Sequence, residues 1–308
     1  MRVFYRKLFT VIFFLFFIIN SVKSQNIEQQ QDTTLLPPIE KESSYLSIDL
    51  NYISDAVFMG RKDSISAPYI YPSLTYHHKS GFYATGSFSY LTKADQSRVD
   101  MSISTIGYDF DSKKISGDFS LTKYFFSDKS YNVIAEVEAD LTAKLSYDFD
   151  IVNLTATGIT FFNSDNSSDL FLSGEISHDF VTNNEKFQFS PTAGIYFGSQ
   201  NFYDQYFVSY RYSSGRGHGG NGAGTGSGTG GTTQTTTSIS VEESEKFNLM
   251  AVELSLPSWY MHKKFTVSFL PTLVIPQNPA TLIVDDVVVK EELDTTFYWM
   301  LGVSYKFD

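Results

Sequence analysis

The chain has no cysteine, so disulfides, thiol catalysis and a lipid anchor on an N-terminal cysteine are all excluded. It is also poor in basic residues. The 23 Lys and Arg face 34 Asp and Glu, and four of the bases (Arg2, Arg6, Lys7, Lys23) sit in the first 24 residues. Without that stretch the balance is 19 against 34, a net charge of −15, which offers no electrostatic footprint for nucleic acid. A third shortage is of long apolar runs. Past the beginning of the chain nothing approaches the roughly 20 apolar residues that a membrane helix needs. A mature membrane protein of this sequence would therefore have to be a closed barrel, because only helices and barrels satisfy every backbone group in lipid.

The beginning itself reads as a secretory leader. Arg2, Arg6 and Lys7 form a basic n-region, and Leu8–Ile19 is an apolar core too short to span comfortably. Val22-Lys23-Ser24 supplies the cleavage context. A signal peptide over 1–24 is expected, then a Gln- and Thr-rich periplasmic lead-in over 25–43, then one domain over 44–308.

What the chain has in quantity is aromatic residues, at 16%, and strict two-residue alternation. In Tyr45–Tyr52, Leu46, Ile48, Leu50 and Tyr52 alternate with Ser47, Asp49 and Asn51. Successive strand side chains point to opposite faces, so one face is apolar and the other wet. The same pattern predicts strands at 69–77, 82–91, 98–110, 114–126, 131–148, 151–162, 169–180, 187–199, 246–257, 264–276 and 295–307. Over 131–149 one parity is apolar throughout, which predicts a strand projecting beyond a bilayer.

Connections sort by parity. Tight links at 78–81, 111–113, around Asp150, 182–185 and 261–263 alternate with connections at 53–68, 92–97, 127–130, 163–168, 200–245 and 277–294. Outer-membrane barrels have short periplasmic turns and long external loops. The expected fold is therefore all-β: a transmembrane antiparallel up-and-down β-barrel of about 12 strands, with 14 as the alternative count. Both termini would be periplasmic. Within the long connection, Tyr206–Tyr212 and Thr235–Val241 flank a Gly/Ser/Thr tip and are expected to pair as a hairpin above the membrane. Thr281–Val284 and Val287–Lys290 are expected to form another.

At the C-terminus, Gly302-Val303-Ser304-Tyr305-Lys306-Phe307 resembles the β-signal by which outer-membrane barrels are recognised for assembly, with Asp308 as one extra residue. Together with the leader, the chain resembles outer-membrane β-barrels of the Bacteroidota type. The resemblance implies a Gram-negative source, integral placement in the outer membrane, lipid as the solvent and the barrel assembly machinery as partner. Gly302, Tyr305 and Phe307 would carry the assembly signal.

A search for chemistry returns little. Of five histidines, His77, His78, His178 and His262 fall at turn ends, and His218 lies in the Gly-rich tip. No histidine pair has metal-ligand spacing. Gly224-Thr225-Gly226-Ser227-Gly228 has the Gly-x-Ser-x-Gly form without the strand-to-helix context that gives it meaning. No enzyme activity, cofactor or metal is expected. Parity assigns Asp49, Asp100, Asp118, Glu136, Glu138, Asp140, Glu175 and Asp179 to the lumen, and Glu253 if a bulge near 250 restores the pattern. The inward bases are fewer: Lys123, Lys144 and Lys306. An acidic wall favours cations. The expected function is a small pore or transport channel for small hydrophilic or cationic solutes. The alternative is a non-conducting surface barrel that binds an extracellular partner through loop 200–245.

Overall fold

In the computed structural model, residues 43–62, 68–93, 97–127, 130, 134, 137–199, 201, 239–241, 246–284 and 287–307 are described. The leader and lead-in expectations, Glu136, His218, Asp285-Asp286 and the Tyr206–Tyr212 arm lie outside them.

Twelve antiparallel strands make the wall, in chain order. They are β1 (Tyr45–Ile53), β2 (Tyr69–His77), β3 (Phe82–Leu91), β4 (Arg98–Ser112), β5 (Ile115–Phe126) and β6 (Val137–Asp148). They continue as β7 (Asn153–Asn163), β8 (Ser168–Ser177 and Phe180–Val181), β9 (Phe187–Phe189 and Thr192–Gly198), β10 (Asn248–Ser255 and Ser258–His262), β11 (Phe265–Pro276) and β12 (Thr296–Phe307). Each strand pairs with the next, and β12 pairs with both β11 and β1, which closes the ring. Closure leaves no edge in the wall. The count is twelve, and the fourteen-strand alternative fails for a visible reason. Thr281–Val284 and Val287–Lys290 do pair with each other, but in a separate three-stranded sheet. Ile239–Val241 joins that sheet against Thr281–Val284, and the Tyr206–Tyr212 arm expected beside it lies outside the described residues.

The short links cluster at the end of the barrel that carries Tyr45 and Phe307. Three of them turn through left-handed non-glycine residues, Lys113, Glu185 and Lys263, and Asp150 does the same in a fourth. The 113–114 turn is tied to the 149–152 turn by Lys114, which donates to Asp150 at 2.6 Å, and that bond raises the ammonium's pKa. The remaining short link needs a glycine. Gly81 has φ +98°, and a Cβ there would lie 2.1 Å from the Asp109 carbonyl oxygen. Gly81→Ala is expected to destabilise the barrel by about 2–4 kcal/mol, combining strain at a disfavoured φ with a backbone clash. Urea unfolding of the vesicle-inserted protein measures it, and an unchanged midpoint would mean the turn has another conformation.

Strand pairing also corrects two sequence readings. The long strand expected over 131–148 begins only at Val137, whose N–H bonds back to the Ile134 carbonyl in a turn. The strand expected to stop at 257 instead resumes after a break and ends at His262. That break belongs to a line of kinks. His178, Ser190 and Leu256 donate their N–H groups to the carbonyls of Pro191, Pro257 and Pro271 on adjacent strands. Proline has no N–H for the ladder, so the wall bends there without opening.

Every strand turns large apolar side chains outward, including Ile48, Leu74, Phe88, Ile106, Leu121, Leu145, Leu172, Leu254, Phe269 and Leu301. Polar residues on the opposite parity are buried, among them Ser47, Thr75, Thr122, Asp140, Thr155 and Thr272. An apolar outside around a polar inside is the arrangement of a barrel solvated by lipid. At the short-turn end the belt finishes in aromatic pairs: Phe82 with Tyr108, Tyr147 with Phe149, and Phe265 and Phe307 with Tyr305. Rings gathered at one level are the girdle such barrels place at an interface.

Candidate functional site

The candidate site is the barrel interior, and alternation along each strand supplies it. Its recurring unit is a tyrosine hydroxyl donating to a carboxylate two or fewer strands away. Tyr69 donates to Asp100 at 2.8 Å, Tyr83 to Asp118 at 2.9 Å, Tyr124 to Asp140 at 2.7 Å and Tyr196 to Glu175 at 2.5 Å. A bond from a neutral donor holds a carboxylate in place without cancelling its charge. Asp49 is buried on β1 and accepts from Ser47 at 3.2 Å and Ser73 at 3.4 Å. Asp179 accepts from Asn153 and Ser190 at the kink of β8.

Glu175, Gly194 and Glu253 lie abreast in register on β8, β9 and β10. The bulge looked for near 250 is at Met250, which the β9–β10 register skips between Leu249 and Ala251. Gly194 stands between the two acids, and a Cβ there would come within 2.8 Å of the Tyr196 ring and 3.1 Å of Glu175 Cγ. Absence of a side chain at 194 is what lets Tyr196 lie across to Glu175.

Asp100 reaches the interior through irregularity. The β3–β4 register steps from Ser89–Met101 to Tyr90–Val99, which leaves Asp100 bulged and buried, with Arg98 bonded to it at 3.0 Å. Beyond the bulge Met101 is buried while Ile106 and Tyr108 are exposed, so Asp109 points inward. Simple alternation from Val99 missed Asp109. The Ile106–Tyr108 parity was the signal that finds it.

Two expected lumen residues are elsewhere. Lys123 shares its parity with the outward Phe119, Leu121 and Phe125, and pairs at 2.8 Å with Glu138. Glu138 is itself the residue skipped between Val137 and Ala139 in the β6–β7 register, and its carboxylate is 56% exposed. The pair sits on the outside near the long-connection end. Lys144 is on the parity opposite the outward Leu141, Leu145 and Tyr147, across from Asp118 in register. Lys306 holds its ammonium 4.5 Å from the centroid of the buried Tyr45 ring.

That cation begins a cluster which the sequence did not announce. His77 is buried, lies flat against Tyr45 at 4.9 Å and parallel to Tyr83 at 6.2 Å, and is hydrogen-bonded through Nε2 to Asp109 at 3.0 Å. Of the residues expected to carry an assembly signal, Gly302 is buried between Asn51 and Ser268, whereas Tyr305 and Phe307 stand in the outer aromatic girdle. Among the described residues no group of three or more His, Asp or Glu is placed to hold a metal ion.

The long-connection end is different in kind. Phe161 and Phe171 turn into the barrel and pack with Val137, Met250, Ala280 and Met59, the last from the connection between β1 and β2. Sequence reading placed 53–68 outside as a plain loop. Nothing local in Ala56-Val57-Phe58-Met59 distinguishes an in-folded segment from an exposed one.

A scan with models of protein families gives no match, and a search of curated protein sequences gives none either. Among solved structures the chain is similar to the KdgM porin, with 9% identity, TM-score 0.45, and 85% of this chain and 99% of that one covered. It is similar to the NanC porin at 13% identity and TM-score 0.44, covering 85% of this chain and 100% of that one. It is also similar to LpxR from Salmonella typhimurium at 11% identity and TM-score 0.38, covering 84% and 99%.

Proposed function

We propose that this protein is an outer-membrane channel for small hydrophilic solutes, with a preference for cations. The observation that carries the reading is the charge of the inner wall. Asp49, Asp109, Asp118, Asp140, Glu175 and Glu253 stand there against the bases Lys144 and Lys306. In a confined, low-dielectric passage fixed carboxylates raise the local concentration of cations and exclude anions. The basic leader and the terminal Gly302–Phe307 pattern fit export and barrel assembly in a Gram-negative bacterium of the Bacteroidota type. On this reading the short turns and both termini are periplasmic, and the long connections face outward, where 200–245 is the segment suited to an extracellular partner.

Purified protein in planar bilayers under a salt gradient tests it. The expected result is discrete conductance with a reversal potential of the sign that marks cation preference. A barrel that is folded and inserted yet silent in every form, or one that prefers anions, overturns the reading. Two lysines give an internal control. Lys144→Gln is expected to strengthen cation preference by about twofold, because it removes an inward positive charge. Lys123→Gln is expected to leave the reversal potential unchanged, because its ammonium is on the outside with Glu138.

A further inference from the structure

We propose that the hairpin Val57–Lys62, which follows β1, is a gate across the long-connection mouth, latched by Arg61. This rests on the channel reading and names what regulates it.

The segment folds as a minimal hairpin. Val57–Phe58 pairs with Arg61–Lys62, and the two turn residues Met59 and Gly60 have φ of +48° and +78°. Two consecutive left-handed residues are the tight turn that suits a two-residue hairpin. Gly60 is required by contact as well, since a Cβ would lie 2.7 Å from Pro276 Cβ.

The hairpin crosses the mouth. It is rooted between β1 and β2, yet the Phe58 ring lies 5.2 Å from Phe161 on β7 and 5.2 Å from Phe171 on β8. In a closed ring of twelve, β7 is the strand opposite β1. Behind Phe58, Met59 is buried against Met250 and Ala280.

Besides these apolar contacts, the hairpin is tied down through the hydrogen bonds of one side chain. Its two-stranded sheet is separate from the wall, with no ladder to any barrel strand among the described residues. The Arg61 guanidinium, fully buried, donates through one nitrogen to the carbonyls of Met59 at 3.0 Å and Met250 at 2.9 Å. Through the other it donates to Gln277 at 3.1 Å and Asn278 at 2.7 Å, with Glu291 at 3.8 Å. These partners come from the β10 bulge and from the connection after β11, so one cation fastens the hairpin to that side of the mouth, while Phe58 reaches across to β7 and β8. A guanidinium stays charged at any working pH, so the latch is not a proton switch. Separating a buried charge from its partners is costly, so the fork favours the seated hairpin strongly. A polar channel covered by an apolar tip that a charged fork ties down has the two arrangements a gate needs.

Single-channel recording decides it with the native protein, Arg61→Ala, and a Phe58→Cys/Phe171→Cys pair made in this cysteine-free chain. Arg61→Ala is expected to raise the open fraction about tenfold or more, since it removes several charge-assisted bonds at once. The oxidised cysteine pair is expected to conduct least, and reduction to restore the current. If Arg61→Ala and the oxidised pair both conduct as the native barrel does, the gate is wrong and the channel stands. If the native, Arg61→Ala and reduced forms are all silent although inserted, the channel falls and the gate with it. Should Arg61→Ala not assemble, the oxidised and reduced states of the cysteine pair decide alone.

Discussion

An arginine at Leu121 is expected to lower the stability of the inserted barrel by about 2–4 kcal/mol, the cost of a cation on the lipid face near mid-bilayer. Leu121 is in the middle of β5, in register with Ile106 on β4 and Leu141 on β6. These three are 45%, 61% and 52% exposed, so the site is the heart of an apolar patch and not an isolated residue. The same change one residue earlier is the control. Ser120 is on the opposite parity, beside inward groups, and Ser120→Arg is expected to cost about 1 kcal/mol or less, as a substitution facing water. Urea titration of the protein in lipid vesicles, followed through its two tryptophans, compares them. Equal losses at the two positions would mean that the apolar parity does not face lipid.

The second large effect is on selectivity. Glu175→Gln combined with Glu253→Gln is expected to reduce the cation-to-anion permeability ratio about threefold or more at low salt. The two acids lie abreast on β8 and β10, separated only by the bare Gly194, so their fields add on one stretch of wall. Gln keeps the acceptor for the Tyr196 hydroxyl, so geometry is conserved while charge is removed. The effect is expected to shrink as salt rises, because the screening length falls from about 10 Å at 0.1 M to about 3 Å at 1 M. Reversal potentials at two ionic strengths measure both features. A ratio unchanged by the double substitution would place the selective stretch elsewhere in the barrel.

How far the sequence could be read varied by residue. Thr296–Phe307 was legible throughout, because alternation is uninterrupted and the strand follows it. Asp100 and Asp109 were half legible. One bulge puts the first inside and reverses the phase that carries the second inside, and a bulge leaves no signature in a string of Ser, Ile and Thr. Lys123 was misread although its own strand gives the correct phase with Phe119 and Leu121, and its partner Glu138 sits at another skipped residue. The tyrosine–carboxylate bonds join residues up to 35 positions apart, a distance at which no local pattern speaks.

The sequence by itself determined the barrel: alternation decides which face meets lipid, and turn chemistry decides where strands reverse, both local properties of the chain. Only the tertiary structure decided that the wall closes at twelve, that one connection folds back into the mouth, and that Arg61 finds its partners 189 to 217 residues away. Those outcomes depend on ring closure and on contacts across the interior. A periodic signal with a range of two residues carries no information about what lies on the far side of the barrel.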